Sequence, residues 1–193
     1  MFPSLILAST SRYRRELLAR LAVPFHVSAP EVDEQPLPGE KPEPRASRLA
    51  LAKAHAVAER FPDAVVIGSD QVAACGELVL DKPGSAERAR AQLASLSERT
   101  AVFYTACAVV VPALSTVEVF TDRTRIDFRK LNADEIARYV EREQPLDCAG
   151  SFKSEALGIT LFETIETRDP SALVGLPLLW LAAALRRAGF ALP

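Results

Sequence analysis

The chain has 193 residues, 25% of them charged and 49% hydrophobic, enough for one globular domain with room for two lobes around a cleft. A formal net charge of -2 and a pI near 5.8 exclude a broad nucleic-acid-binding surface and leave only a local basic pocket open. No apolar run is long enough to span a membrane, and the opening stretch MFPSLILAST lacks both the basic flank and the apolar length of a signal peptide.

In chain order, SLILA (4–8) predicts a buried strand, followed by a helix from about Ser11 to Leu21. PFHVS predicts a short strand. The five prolines of PEVDEQPLPGEKPEP (30–44) fix the backbone and remove donors, so this segment is read as irregular. A helix is expected from about Arg45 to Arg60, with Leu49, Ala52, Ala56 and Val57 on one face. AVVIGSDQVAAC and ELVLDKP read as consecutive strands, and SAERARAQLASLS as a helix. TAVFYTACAVVV and STVEVFTDRTRIDFRK predict long strands, antiparallel through the PAL turn. NADEIARYVERE is a helix capped by Asn132, GITLFETIE a strand, and VGLPLLWLAAALRRAG a last helix closed by Gly189. Strands alternate with helices around an inserted hairpin, which predicts an α/β fold on a mixed sheet.

The chemistry concentrates in a few stretches. Three cysteines far apart, Cys75, Cys107 and Cys148, with no Cys-x-x-Cys pair, read as reduced, buried thiols of a cytoplasmic protein. Two histidines, His26 and His55, argue against a histidine zinc site or Ser-His-Asp hydrolysis. ASTSRYRRELLARL stacks Arg12, Arg14 and Arg15 at a helix N-terminus, the end that already carries partial positive charge. The conflict disappears if the turn, with hydroxyls from Ser9, Thr10 and Ser11, receives a polyanion; the plain alternative is a capping serine with surface arginines. In RLALAKAHA, Arg48 and Lys53 lie on adjacent helix faces, where they either flank a ligand or face solvent. In VIGSDQVAACGELVLDKP, Asp70 is expected at the end of an apolar strand, an expensive place for an acid without a partner, metal or water. Lys82 follows in DKP, either as part of a metal–phosphate site or as a bridge to Asp70. EVDEQ offers Glu31, Asp33 and Glu34, one of which could take a hard cation. CAGSFKSEALGITLFE places Gly150, Ser151, Lys153, Ser154 and Glu155 in a loop able to approach a ligand closely. RDPSALVGLP reads as a structural turn.

Together LILASTSRYRRELL, PEVDE, RLALAKA, GSDQV, DKP, CAGSFKSEALGI and DPSALVGLPL resemble, in order, the motifs of the Maf family of nucleoside triphosphate pyrophosphatases, from Leu5 to about Leu185. ASTS-x-aromatic-RR, GSDQV and CAGSFKSE are similar to the branch described as 7-methyl-GTP pyrophosphatase; the branch acting on dTTP and UTP usually has Ala-Asp-Thr in place of SDQ. The family normally has proline where this chain has Arg12, a departure that bears on specificity rather than reaction class.

The resemblance implies an inosine-triphosphatase-like α/β fold, a mixed twisted sheet in two lobes around a nucleotide cleft, as a single domain over residues 1–193. It implies a divalent cation, Mg or Mn, and cleavage between the α and β phosphates of a nucleoside triphosphate. Carried over position by position, Asp70 is the general base and also a metal partner with Glu34. Ser9, Arg14, Arg15, Lys53 and Lys82 hold phosphate, and Tyr13, Gln71 and Glu155 select the base. No nucleic-acid or membrane partner is expected, and a homodimer stays open. Two alternatives remain at this point: a dTTP/UTP pyrophosphatase of the same family, and a non-catalytic nucleotide-binding regulator of cell division.

Overall fold

The computed structural model describes residues 4–193, so the first three residues of the stretch read above for a leader lie outside it. Seven strands form one mixed sheet: β1 (Ser4–Ala8), β2 (His26–Ser28), β3 (Ala64–Cys75), β4 (Leu78–Val79), β5 (Thr100–Val111), β6 (Thr116–Phe128) and β7 (Phe162–Glu166). Their order is β2-β1-β3-β5-β6-β7, with β4 paired to β3. β1 runs parallel to both β2 and β3, which sets Leu7 beside Ile67 and Ala8 beside Gly68. β4 and β7 pair antiparallel with β3 and β6. The helices are α1 (Arg12–Ala19), α2 (Pro42–Ala58), α3 (Ala86–Leu96), α4 (Ala133–Glu143) and α5 (Leu178–Arg187).

Local chemistry explains most of these boundaries. Ser11 is the N-cap of α1, its Oγ accepting from the Arg14 N–H at 3.4 Å. At α4, Asn132 and Glu135 form a reciprocal capping box. Gly189, at φ +93°, ends the last helix in a conformation that costs other residues energy. Several elements differ from the sequence expectation, β4 with only Leu78–Val79 of ELVLDKP among them. α2 begins at Pro42 rather than Arg45, because prolines suit a first turn whose N–H groups lack helical partners anyway. Residues Leu157–Leu161 form 3-10 turns and only Phe162–Glu166 a strand, where a strand over the whole of GITLFETIE was expected. The buried face of α2 runs through Leu49, Ala50, Lys53, Ala54 and Val57, while Ala52 and Ala56 are only partly buried.

The chain divides into two compact units. One runs to Gln71 and takes in Thr105–Asp122 and Asp169–Pro193; the other is Val72–Tyr104 with Arg123–Arg168. The first has an aliphatic core of Leu5, Leu7, Leu17, Val65, Ile67 and Leu181, each worth about 1.5–3 kcal/mol when fully buried. The second is built on Phe103, Phe128, Phe152 and Phe162, whose rings meet edge to face at centroid distances of 4.8–5.8 Å. Among the described residues no helix is long and apolar enough to cross a membrane.

Candidate active site

The site in the first unit starts from a glycine. A Cβ at Gly68 would fall 2.2 Å from the Ala50 carbonyl oxygen and 2.6 Å from the Ala54 nitrogen, so only glycine lets the backbone of α2 rest directly on β3. That contact brings Lys53, on the underside of α2, to Asp70 on β3. Both are buried, with exposures of 5% and 7%. Lys53 Nζ donates to Asp70 Oδ1 at 2.7 Å and pairs with Glu34 Oε1 at 2.7 Å. One ammonium thus sits where two carboxylates converge.

Glu34 arrives on the irregular segment before α2, which is tied down by arginines. Arg60 donates to the Ala29 carbonyl, Arg45 to the Glu34 carbonyl and Arg48 to the Gln35 carbonyl. Arg48 also grips Glu40 with two nitrogens, at 2.6 and 2.7 Å. That pairing, mainly through hydrogen bonding, holds the Glu40 carboxyl down to about 2. Asp33 accepts from the Gln35 N–H within its own turn. Of the three acids in EVDEQ, the one that reaches the buried site is therefore Glu34. Arg48, read from sequence as a ligand flank or a solvated cation, is a strap on this segment.

Asp70 does not end its strand, as the sequence suggested, but lies within β3, which continues to Cys75. The polar run around it is satisfied from a distance. Ser69 Oγ is within hydrogen-bond reach of the Ala106 and Gly175 carbonyls, at 2.8 and 2.9 Å. Gln71 Nε2 reaches Thr105 Oγ1 at 2.8 Å, the Leu173 carbonyl at 3.0 Å and the Ala172 carbonyl at 3.2 Å. The cation on Asp70 is Lys53, where the sequence reading had offered Lys82.

The arginine-rich turn joins the same unit. Ser9 is buried and its Oγ accepts from the Ser11 N–H at 3.1 Å, shaping the turn. Arg14 Nε donates to the Gly175 carbonyl at 3.0 Å. Burial lowers the Arg14 pKa, opposed by the negative charge of Asp70 first, and Cys107 and Glu34 after it. Arg15 is exposed. Arg12 lays its guanidinium over the Tyr13 ring, 4.8 Å from the centroid, and donates to the Tyr13 hydroxyl at 3.2 Å. It occupies the first position of α1, where the family pattern has proline, and Ser11 still caps the helix.

The first unit thus gathers Ser9, Tyr13, Arg14, Arg15, Glu34, Lys53, Asp70 and Gln71. Lys82 and Glu155 belong to the second unit, both exposed. In the loop around Glu155, Lys153 donates to the Glu143 carbonyl at 2.7 Å and Ser151 to Gln92, which are fold contacts. Sequence reasoning read the turn at 169–175 as structural and missed which residues it holds. Its carbonyls at Ala172, Leu173 and Gly175 receive Gln71, Ser69 and Arg14, and Asp169 secures it by accepting from the Ser171 and Leu179 N–H groups. The signal available was Asp-Pro-Ser ahead of a helix, the same composition that marks an ordinary turn.

Among the described residues no group of three or more histidine, cysteine, aspartate or glutamate side chains is placed to hold a metal. Asp70 and Glu34 nevertheless form a pair of hard oxygen donors already aimed at one positive charge. Two carboxylates completed by substrate oxygens is a common magnesium arrangement, so the pair fits a divalent cation that binds together with a polyphosphate.

Comparison with known proteins gives a consistent outcome. The family model described as Maf-like protein matches residues 4–188. The 7-methyl-GTP pyrophosphatase of Aromatoleum aromaticum is 53% identical over 192 residues, covering 100% of this chain and 99% of the relative. That of Xanthomonas campestris pv. campestris is 55% identical over 193 residues, covering 100% of both. Among solved structures, the Staphylococcus aureus Ham1 protein aligns with a TM-score of 0.55 at 16% identity, over 95% of this chain and 98% of that one. This last likeness concerns the fold, and it agrees with the mixed α/β class expected from sequence.

Proposed function

Because this chain belongs to the Maf family, we propose that it is a nucleotide pyrophosphatase that hydrolyses 7-methyl-GTP between its α and β phosphates, with Asp70 as the general base. The observation that carries this reading is the buried Lys53 ammonium bridging Asp70 and Glu34. A buried acid inside a strand is costly to keep charged, and the chain keeps it beside a second carboxylate and a cation from another element. The relatives named 7-methyl-GTP pyrophosphatase, more than half identical over their whole length, supply the substrate.

In this reading Asp70 accepts the proton of the water that attacks the α phosphorus. Asp70 and Glu34 would hold the divalent cation, which when bound would neutralise phosphate charge and make the water more acidic. Lys53, released from the carboxylates, then meets phosphate oxygens, and Arg14 and Arg15 add charge to the same task. Ser9 acts through the turn it shapes, and Lys82 supplies a further phosphate contact from the second unit. The Tyr13 ring takes the cationic face of the methylated purine, which Arg12 covers in the free chain. Gln71 and Glu155 read the base edge as acceptors. The test is pyrophosphate release on a nucleotide panel with purified protein. Faster hydrolysis of 7-methyl-GTP than of GTP, dTTP or UTP is the expected result. A preference for dTTP or UTP would overturn the substrate, and no release from any nucleotide would overturn the enzyme.

A further inference from the structure

The second unit contains a cavity of about 180 Å³ between α4 and the residues from Leu157 to Thr160. Three guanidinium groups line it, Arg129, Arg138 and Arg142, with Glu135, Tyr139 and Leu157. Arg129 is fixed in place. Its Nε donates to the Thr160 carbonyl at 2.8 Å, and its Nη1 to the Lys130 carbonyl at 2.8 Å and to Glu135 Oε1 at 2.9 Å. Among the described residues its Nη2 has no hydrogen-bond partner.

The single acid at the cavity is already used. Glu135 gives Oε1 to Arg129 and Oε2 to the Asn132 N–H of the capping box, at 2.9 Å each. The charge of Arg138 also acts on Glu135, but neither Arg138 nor Arg142 makes an ion pair or a hydrogen bond among the described residues. Arg138 and Arg142 are one turn apart on α4, where like charges repel and weaken the helix. The helix C-terminus favours Arg142 in the last turn, but that does not account for Arg138 or for a third guanidinium held rigidly at the same cavity.

We propose that this cavity is a binding site for an inorganic phosphate oxyanion, mono- or diphosphate, separate from the Asp70 site. Guanidinium forks match phosphate oxygens, and a bound anion would relieve the repulsion along α4. The size agrees: at about 30 Å³ per water the cavity holds roughly six waters, room for a diphosphate, while sites for whole drug-sized ligands start at about 300 Å³. A site of this kind lets the concentration of inorganic phosphate or diphosphate bear on the protein without a nucleotide. It does not depend on the substrate proposed above.

Calorimetric titration of the full chain with sodium pyrophosphate, and separately with orthophosphate, at low salt tests it. Three proteins are compared: the natural chain, Arg138→Gln/Arg142→Gln, and Arg14→Ala/Arg15→Ala, each first shown to be folded by its cooperative thermal transition. The natural chain and the Arg14/Arg15 variant are expected to bind, and the Arg138/Arg142 variant to bind roughly tenfold or more weakly. Which of the two anions binds tighter identifies the source. Unchanged binding by the Arg138/Arg142 variant, loss of all binding in the Arg14/Arg15 variant, or no binding by the natural chain would each overturn the proposal.

Discussion

Lys53 and Arg48 stand five residues apart on α2, and each meets a carboxylate from the irregular segment before it: Glu34 for Lys53, Glu40 for Arg48. The contacts are similarly short, 2.7 and 2.6 Å. The surroundings differ. Lys53 is buried and shares its charge with a buried aspartate, whereas the Arg48 side chain keeps 30% of its surface in water. A buried charge stripped of its partner has no solvent to replace it, and an exposed one does. Similar pairings on one helix therefore do different work: one builds a site, the other holds the segment that delivers Glu34 to it.

The comparison can be broken most forcefully at Asp70. Asp70→Asn keeps the shape and removes the proposed base, so turnover in a pyrophosphate-release assay should fall by about two to four orders of magnitude with folding intact. Near-normal turnover would move the base elsewhere. Lys53→Met tests the burial argument itself. Asp70 then loses its buried counterion, and urea unfolding should show a loss of about 3–5 kcal/mol, the cost of breaking a buried pair from one side. Gly68→Ala attacks the same contact through the backbone. Its methyl group must push α2 off β3, with an expected loss of about 1–3 kcal/mol and a fall in turnover as Lys53 moves from Asp70.

The smallest effect belongs to Arg48. Glu40→Gln should lower stability at pH 7 by less than Lys53→Met does, and should raise KM, since the Glu34 segment loses its strap. The same pair sets a pH dependence. The folded-state pKa of Glu40 lies below its unfolded value, so its contribution is present above about 4.5 and is lost as pH falls towards about 2. Acid titration should show the natural chain more stable than Glu40→Gln above about pH 4.5 and the two converging as pH falls towards about 2, and parallel curves would remove the strap from the account.

What sequence made legible was what local chemistry decides. Ser11 before an arginine-rich helix, Asn132 three residues ahead of Glu135 and glycine after the last helix each carry their signal within one turn of chain. The run Gly-Ser-Asp-Gln gave a mixed signal: it lies inside AVVIGSDQVAAC, read as one strand, while its acid looked like a strand end. It stays in β3 because each of its residues is satisfied by chain far away: Gly68 by α2, Ser69 and Gln71 by the turn at 169–175, Asp70 by Lys53. The burial of Lys53 was illegible for the same reason. A lysine in RLALAKAHA looks solvated until the strand that carries its aspartate is placed beneath it, and the family pattern named the residue without naming its partner.

The Gln71 amide has a consequence for hydrogen exchange. Carbonyl oxygens cannot donate, so the Ala172 and Leu173 carbonyls fix which end of that amide is nitrogen. Its two protons are shared among three acceptors, while Oε1 receives no donor among the described residues. The side chain is therefore an oriented acceptor, unable to present its nitrogen outward without taking away the donor of the Leu173 carbonyl. In an NMR spectrum its paired NH₂ signals should persist in deuterated solvent after those of Gln35 and Gln92 have faded. A base offering only acceptors on the facing edge would find no complement there.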